Sequence, residues 1–249
     1  MSNEGGAKSS ASKGPPLETY TLRLFGKGIY GRHHNRRFEW LSQKISALAG
    51  EQGIRVLEVG CHEGRVLSHI PRLVRRYVGL DAGWGGGLER AKEFFRERQE
   101  VAFIQSNHPR DVAALEERFD FAICMETLEH VEPPMVGLYI KAFSEKLDGY
   151  LLITVPNEKG LALLIKALGA RFLKVDRIYP YTAKEFFWGL MGRLDRVARS
   201  EHKGFDYRNL ANLIGKYFRY VSVEGVSPVR RPLQLGLTIG IVASQKPIP

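Results

Sequence analysis

An α/β fold, doubly wound around a seven-stranded and mostly parallel sheet, is the architecture this 249-residue sequence predicts. Three observations predict it. Short apolar runs alternate with helical patterns over short connections, as in repeated β-α-β units. The first two runs each end in an acid, Glu58 and Asp81, separated by 23 positions. Two late strand patterns then follow with no long helix between them. Such a pair must run antiparallel, because a parallel crossover needs about a dozen residues or more.

Taken in order, Met1 to Pro16 is Gly/Ser/Lys-rich and lacks an apolar h-region, so residues 1–16 are expected to form a disordered tail. Residues 17–249 make one domain, a size that buries an ample core. Residues 17–50 are expected to form a helical cap, in which His33-His34-Asn35-Arg36-Arg37 starts a helix with Phe38, Leu41, Ile45 and Leu48 inward. Gly26 to Gly31 is too weakly patterned for a phosphate loop. Strand one ends at Val56-Leu57-Glu58-Val59 and feeds the turn Gly60-Cys61-His62-Glu63-Gly64, then the helical pattern Arg65 to Ile70. Strand two is Tyr77 to Asp81, followed by the glycine-rich Ala82 to Gly87 and a helix with Leu88, Ala91, Phe94 and Phe95 inward. Val101 to Gln105, Phe119 to Cys124 and Gly149 to Val155 are strands three to five. Tyr220 to Glu224 and Leu235 to Ala243 are the late pair.

A strand, a tight turn and a helix N-terminus form an architecture that cradles nucleotide-like cofactors. A dinucleotide fingerprint needs glycine at three fixed positions. Counting from Gly60, the second position is His62 and the third Arg65, so that cofactor class is excluded. The remaining pattern, acid-x-Gly-x-x-x-Gly with Glu58, Gly60 and Gly64, suits a cationic ligand, since an acid beside the loop would repel a pyrophosphate. A carboxylate about 20 residues further on is suited to ribose hydroxyls, and Asp81 stands there.

These motifs resemble those of the class I S-adenosylmethionine (SAM) dependent methyltransferases, over roughly residues 38–246. The resemblance implies the Rossmann-like methyltransferase fold, a seven-stranded sheet with one reversed strand. It implies SAM as cofactor, with Glu58, Gly60, Cys61, His62 and Gly64 at its methionine end. Asp81 and Ala82 would lie at the ribose, Gln105, Ser106 and Asn107 on the adenine side, and Met125 and Glu126 beside the methyl group. His62 stands where the family more often has glycine, and Gln105–Asn107 where it more often has an acid.

After strand four the chain reads Met125-Glu126-Thr127-Leu128-Glu129-His130-Val131. This resembles the signature of a branch of small-molecule methyltransferases, including the ubiquinone-biosynthesis O-methyltransferases. Asn157-Glu158-Lys159-Gly160 is similar to them as well. Small-RNA 2′-O-methyltransferases use a related Glu-x-x-Glu-His with a further histidine to hold a divalent ion. Carried over, the ligands would be Glu126, Glu129, His130 and His202, for Mg²⁺, Mn²⁺ or Zn²⁺. A metal there would lower the pKa of an acceptor hydroxyl. Without one, His130 or His202 would be general base, with Glu129 positioning.

The net charge of +10 is unevenly placed. Residues 51–157 carry 13 Lys/Arg against 17 Asp/Glu, whereas 158–231 carry 15 against 7. The basic flanks point to an anionic partner or to a generally soluble surface. Residues 158–203 form a long insertion or lid. In it Leu161, Leu164, Ile165, Leu168, Phe172 and Val175 recur at helical spacing, with Lys159, Lys166 and Lys174 opposite. A basic amphipathic helix of this kind reads as lying on a membrane surface through residues 159–191, or as packing on the core. Tyr179, Tyr181, Phe186, Phe187, Trp188, Leu190 and Met191 are candidates to line an acceptor pocket. No apolar run reaches the ~20 residues of a membrane-spanning helix. The two cysteines, Cys61 and Cys124, read as reduced core thiols of a cytosolic protein.

The function these features favour is O-methylation of a small hydrophobic or lipid-like acceptor by a cytoplasmic, membrane-peripheral enzyme. The alternatives are a metal-assisted 2′-O RNA methyltransferase and a non-catalytic SAM-binding partner subunit. Nucleic acid ranks behind because the insertion is more aliphatic than an RNA groove requires.

Overall fold

The structure is a computed structural model, in which residues 29–172, 181–200, 202–227 and 232–249 are described. Expectations for residues 1–28, the side chains of His33 and His34, Lys174, Val175 and Tyr179 fall outside them. The chain divides into a short unit, residues 1–35, and a large one, residues 36–249, which contains the whole sheet.

Seven strands form one sheet: β1 (Ile54–Val59), β2 (Val74–Asp81), β3 (Val101–Gln105), β4 (Phe119–Met125), β5 (Leu147–Pro156), β6 (Tyr220–Ser227) and β7 (Thr238–Ser244). Their order is β3-β2-β1-β4-β5-β7-β6. β1 to β5 pair in parallel, and β7 is antiparallel to both β5 and β6, so β7 is the single reversed strand. The chain order reverses direction across the sheet between β1 and β4, where ligand crevices open in such sheets.

Period-2 alternation distributes the strand side chains between two faces. Leu57, Val59, Val78, Leu80, Cys124 and Ile153 share one buried cluster with Ile140 and Phe143 of the helix Pro133–Lys146 and with Leu210 and Ile214 of the helix Tyr207–Ile214. The helix Ile29–Leu48 buries Phe38, Trp40, Leu41 and Ile45, as its 3.6-residue pattern requires, and Trp40 lies against Gly240 of β7, where a Cβ would come within 2.6 Å of the ring. The described helices are labelled in chain order: α1 (Ile29–Leu48), α2 (Gly87–Phe94), α3 (Pro109–Ala113), α4 (Pro133–Lys146), α5 (Gly160–Phe172), α6 (Ala183–Leu190) and α7 (Tyr207–Ile214). Cys61 and Cys124 are both buried and free.

Three expectations are corrected. The pattern Arg65 to Ile70 forms only a five-residue 3-10 turn, Arg65–His69, because Pro71 forces Ile70 into extended backbone. Phe94 is 79% exposed at the end of α2, and Phe95 alone turns in, against Phe103 at 5.8 Å. The last strand begins at Thr238 rather than Leu235, since residues 233–235 form a 3-10 turn behind Pro232.

For α5 the sequence pattern left two poses open, on a membrane surface or packed on the core. Ala162 and Leu163 face inward, while Leu161, Ile165, Leu168 and Phe172 form an exposed stripe. Lys159, on the side opposite that stripe, is buried in an ion pair with Asp206 and lies 4.4 Å from the Tyr207 ring centroid. Lys166 pairs with the buried Glu158 at 2.7 Å. An amphipathic pattern defines a stripe but not which side meets the core; here the buried Glu158 and the half-buried Asp206 pair with the lysines.

Candidate active site

The C-terminal ends of β1, β2 and β4 bring the predicted loop residues together. Gly60 has φ +79°, and a Cβ there would lie 2.1 Å from Thr127 Oγ1, so only glycine lets the β1 turn pass the β4 turn. The amides of Gly60 and Cys61 donate to the carbonyl of Leu80 at 2.8 and 3.2 Å, and Gly64 closes the turn on the Cys61 carbonyl at 2.7 Å. The Cys61 sulfur packs toward Gly79 in the core, so this residue faces the crevice with its backbone only. His62 takes φ +46°, and its ring lies over Gly87. Asp81 accepts the His62 amide at 2.9 Å and the Gly83 amide at 2.8 Å, one on each oxygen. It thereby ties the β1 turn to the β2 turn and keeps further lone pairs for a ligand.

Glu58 lies at the heart of this corner, buried, with its carboxylate accepting the Tyr77 hydroxyl. Burial pushes its pKa up to about 8, against the pull of that hydrogen bond and of the Arg37 guanidinium. Arg37, from α1, also acts on Glu126 and Glu129, so a single cation faces three buried acids. Neither Tyr77 nor Arg37 was singled out from the sequence. Tyr77 precedes Asp81 by four positions, but only the β1–β2 register brings it beside Glu58.

At the end of β3, Gln105 is exposed and its amide donates to the Ala82 carbonyl at 3.3 Å. Ser106 donates to Asp111 at 2.7 Å, and its backbone amide is held by the Asp81 carbonyl at 2.8 Å. Asn107 is exposed. These three therefore line the crevice margin beside Asp81, with Asp111 as an acid the sequence reading did not include.

Beyond β4 the backbone bends sharply. Met125 is buried, and Glu126 takes φ +50°; with His62 it makes the two non-glycine residues with positive φ among those described. Backbone held in a sparsely populated region is found disproportionately at functional sites. The 3-10 turn Leu128–His130 then carries Glu129 inward and His130 outward. His202, from the segment before α7, meets them: its ring centroid is 4.5 Å from that of His130, and its Nδ1 is 3.8 Å from Glu129 Oε1. Arg199 fixes the turn by donating to the Glu129 carbonyl at 2.7 Å.

Burial, and the neighbouring Glu126, raise the Glu129 pKa well above the carboxylate range. Burial also raises that of Glu126. His202 is pushed down to about 3 by burial and by His130, Lys166 and Arg199, which leaves its imidazole neutral. Glu126 Oε1 and both Glu129 oxygens are buried without a hydrogen-bond partner. Orphaned acceptors of this kind call for a donor or a cation. One ligand atom each from Glu129, His130 and His202 lies within 4.8 Å of the others; Glu126, the fourth expected ligand, is not in this trio. A neutral imidazole, a second histidine and unsatisfied carboxylates are a donor set that fits a divalent cation.

Residues of the 158–203 insertion supply further contacts. Thr182 and Glu185 form a capping box at the start of α6, and Glu185 also holds Lys203 at 2.9 Å. Lys166 of α5 acts on Glu126, Glu129 and His202, so α5 presents its lysine to the cluster. Tyr181 and Phe186 pack edge to face, and Arg196 lies over Trp188 at 4.2 Å, whereas Phe187 and Met191 are exposed. Asn157 is structural: its amide nitrogen donates to the carbonyls of Leu233 and Gly236.

A glycine-turned loop at the sheet's switch point, an acid at the end of each of the first two strands, and a carboxylate–histidine cluster after the fourth define a SAM-dependent methyltransferase of class I. A family model described as a methyltransferase domain matches residues 32–191, and the chain belongs to that family. The chain is similar to the ubiquinone biosynthesis O-methyltransferase of Alkalilimnicola ehrlichii, 30% identical over 138 residues, which is 55% of this chain and 54% of that protein. It is 27% identical over 182 residues to the protein of the same name from Klebsiella pneumoniae, covering 71% and 74%. The first of these matches thus spans little more than half of the relative's length. Among solved structures, magnesium protoporphyrin IX methyltransferase from Synechocystis PCC 6803 with bound SAH shares the fold. Its TM-score is 0.54 and its identity 15%, over 92% of this chain and 94% of that one.

Proposed function

We propose that the enzyme transfers the methyl group of SAM to a hydroxyl of a small hydrophobic or lipid-like acceptor. The observation that carries this reading is the meeting of the Gly60–Gly64 turn and Asp81 with the buried, unsatisfied carboxylates of Glu126 and Glu129 and the His130–His202 pair. In this reading Glu58 and the Gly60, Cys61, His62 and Gly64 backbone take the methionine end of SAM, with Arg37 as a counter-charge for its carboxylate. Asp81 and Ala82 take the ribose, Gln105, Ser106 and Asn107 the adenine side, and Met125 and Glu126 border the methyl group.

The chemistry is an in-line displacement: the acceptor oxygen forms its bond to the methyl carbon while the carbon–sulfur bond breaks, leaving S-adenosylhomocysteine (SAH). The hydroxyl proton must go to a protein group. His202, held neutral with a pKa near 3, is a weak base, so the proton acceptor is His130, and Glu129 orients the hydroxyl as hydrogen-bond acceptor. As the alternative to that base, a divalent cation bound by Glu129, His130 and His202, with Glu126 beside them, would supply Lewis acidity toward the hydroxyl. Support for a hydrophobic acceptor comes from the half-buried aromatic residues Tyr181, Phe186 and Trp188 on the lid. The names of the similar proteins agree with an oxygen acceptor.

The test is methyl transfer from labelled SAM to a panel of hydrophobic phenols and amines, with chelator-treated and untreated enzyme. His130→Ala and Glu129→Gln are expected to lower kcat on the phenols by about 10²–10⁴-fold, with SAM affinity within about threefold. Transfer to amines only, or full turnover by both variants, would overturn the assignment.

A further inference from the structure

Arg199 brings a cation to the carboxylate–histidine cluster and leaves part of it unused. One end of its guanidinium, Nη2, donates to the Glu129 carbonyl at 2.7 Å, and the group lies 4.6 Å from the centroid of the buried Phe205 ring. The other end, Nη1, is buried without a hydrogen-bond partner. Among the described residues no carboxylate forms an ion pair with Arg199. Lys166 and Lys203, by contrast, are matched by Glu158 and Glu185 at 2.7 and 2.9 Å. The segment that carries Arg199 is fixed. Ser200 and Lys203 exchange backbone hydrogen bonds of 3.1 and 2.9 Å, and Glu185 of α6 accepts both the Ala198 amide at 3.2 Å and Lys203 Nζ at 2.9 Å. The open donor is therefore held in place. Its counterpart lies on Glu129, whose two carboxyl oxygens are buried and unpartnered although Arg199 bonds the carbonyl of the same residue. Leaving a buried charged donor or a buried acceptor unmade is costly. A molecule that satisfies both must accept from the guanidinium with one group and donate to the carboxyl group with another. A guanidinium has only donors and stays charged, so the first group is an oxyanion; the second is a hydroxyl.

We propose that Arg199 sets acceptor specificity by binding a carboxylate on the same molecule whose hydroxyl Glu129 orients, so that the acceptor is a hydrophobic hydroxy acid. This rests on the methyl-transfer reading of the cluster and narrows its acceptor class. The positive excess of residues 158–231 steers such an anion toward the site. A hydrogen bond to a charged group corresponds to roughly a 10- to 150-fold change in affinity. An ester in place of the acid keeps the shape and the hydroxyl but removes the charge, which isolates the contribution of Arg199.

The experiment is calorimetric titration of the SAH-loaded full chain with isomeric hydroxynaphthoic acids, each beside its methyl ester, for wild type, Arg199→Gln and Arg199→Lys. Melting temperatures are recorded for all three chains. Expected is at least one acid that wild type binds about tenfold or more tightly than its ester. Arg199→Gln should remove that preference, and Arg199→Lys, which keeps the charge, should retain part of it. The wild-type preference is a test in itself, and it stands even where Arg199→Gln does not fold. Wild type that binds every ester as tightly as its acid, or binds none of the acids, would overturn the assignment. So would an Arg199→Gln chain that loses acid and ester by the same factor, because Arg199 would then only hold the Glu129 turn. Methyl-labelled SAM is supplied with the best-bound acid in parallel. An acid preference that depends on Arg199, without any labelled product, would support the Arg199 site and overturn the methyl-transfer reading, so the two failures are distinct.

Discussion

Single residues set the electrostatics of the cofactor corner. Asp81 staples the His62 and Gly83 amides, and in the proposed cofactor map it also grips the ribose. Asp81→Ala is expected to weaken SAH binding by at least tenfold, read by calorimetry; unchanged affinity would contradict the cofactor map. Glu58 makes a sharper prediction. Its folded pKa, about 8, lies above the ordinary carboxylate value of 4.5. The folded chain therefore holds this proton more tightly than the unfolded chain does. Its contribution to stability is full below pH 4.5 and is lost as pH rises through 8. Urea unfolding of wild type should show stability falling across that window, and Glu58→Gln should flatten the fall. A cationic ligand beside Glu58 favours the ionised form, so SAM binding at pH 7 should release up to about one proton. Calorimetry in buffers of different ionisation enthalpy measures it, and zero release would contradict the placement. The acids Glu58 and Asp81 were legible in the sequence because each ends an apolar run. Arg37 and Tyr77 were not, because what matters is a contact across the sheet or from α1, which no local pattern encodes.

At the scale of elements, strands were far more legible than the covering helices. Period-2 alternation and the missing late crossover specify the sheet, down to the reversed strand, because a parallel return has a minimum length. The insertion shows the opposite. Its apolar stripe was visible, but which side meets the core depends on the ion pairs Lys159–Asp206 and Lys166–Glu158, the first of which joins residues 47 positions apart. Lys159–Asp206 is a buried pair, and Asp206 also caps α7 by accepting the Arg208 amide at 2.9 Å. Removing one member of such a pair costs about 3–5 kcal/mol, and a lost cap about 1 kcal/mol more. Lys159→Met should therefore destabilise the fold measurably in urea, and Asp206→Ala should do so further. Equal and negligible effects would show that the pair does not hold α5 to α7.

For the whole molecule, charge is divided along the chain: residues 51–157, which hold the proposed cofactor site, are net acidic, and residues 158–231 carry a positive excess. Among the described residues no helix is long and apolar enough to cross a membrane. The exposed stripe of Leu161, Ile165, Leu168 and Phe172, with Phe187 of α6 and Met191 just after it, instead motivates a proposal of peripheral docking on anionic bilayers. Flotation with vesicles containing anionic lipid should carry the protein at low salt and fail at high salt. Leu168→Glu with Phe172→Glu should abolish it without lowering the melting temperature; no flotation at any salt would contradict the proposal.

The central claim concerns what receives the methyl group, and one measurement reaches it directly. Enzyme and methyl-labelled SAM are incubated with cell extract, and the label is followed into the organic phase, the RNA and the protein fractions. The expected result is label in the organic phase as an O-methyl product, lost in Glu129→Gln. Label in RNA would contradict the hydrophobic acceptor and turn the basic flanks into a nucleic-acid surface, while SAH binding without label in any fraction would contradict catalysis itself.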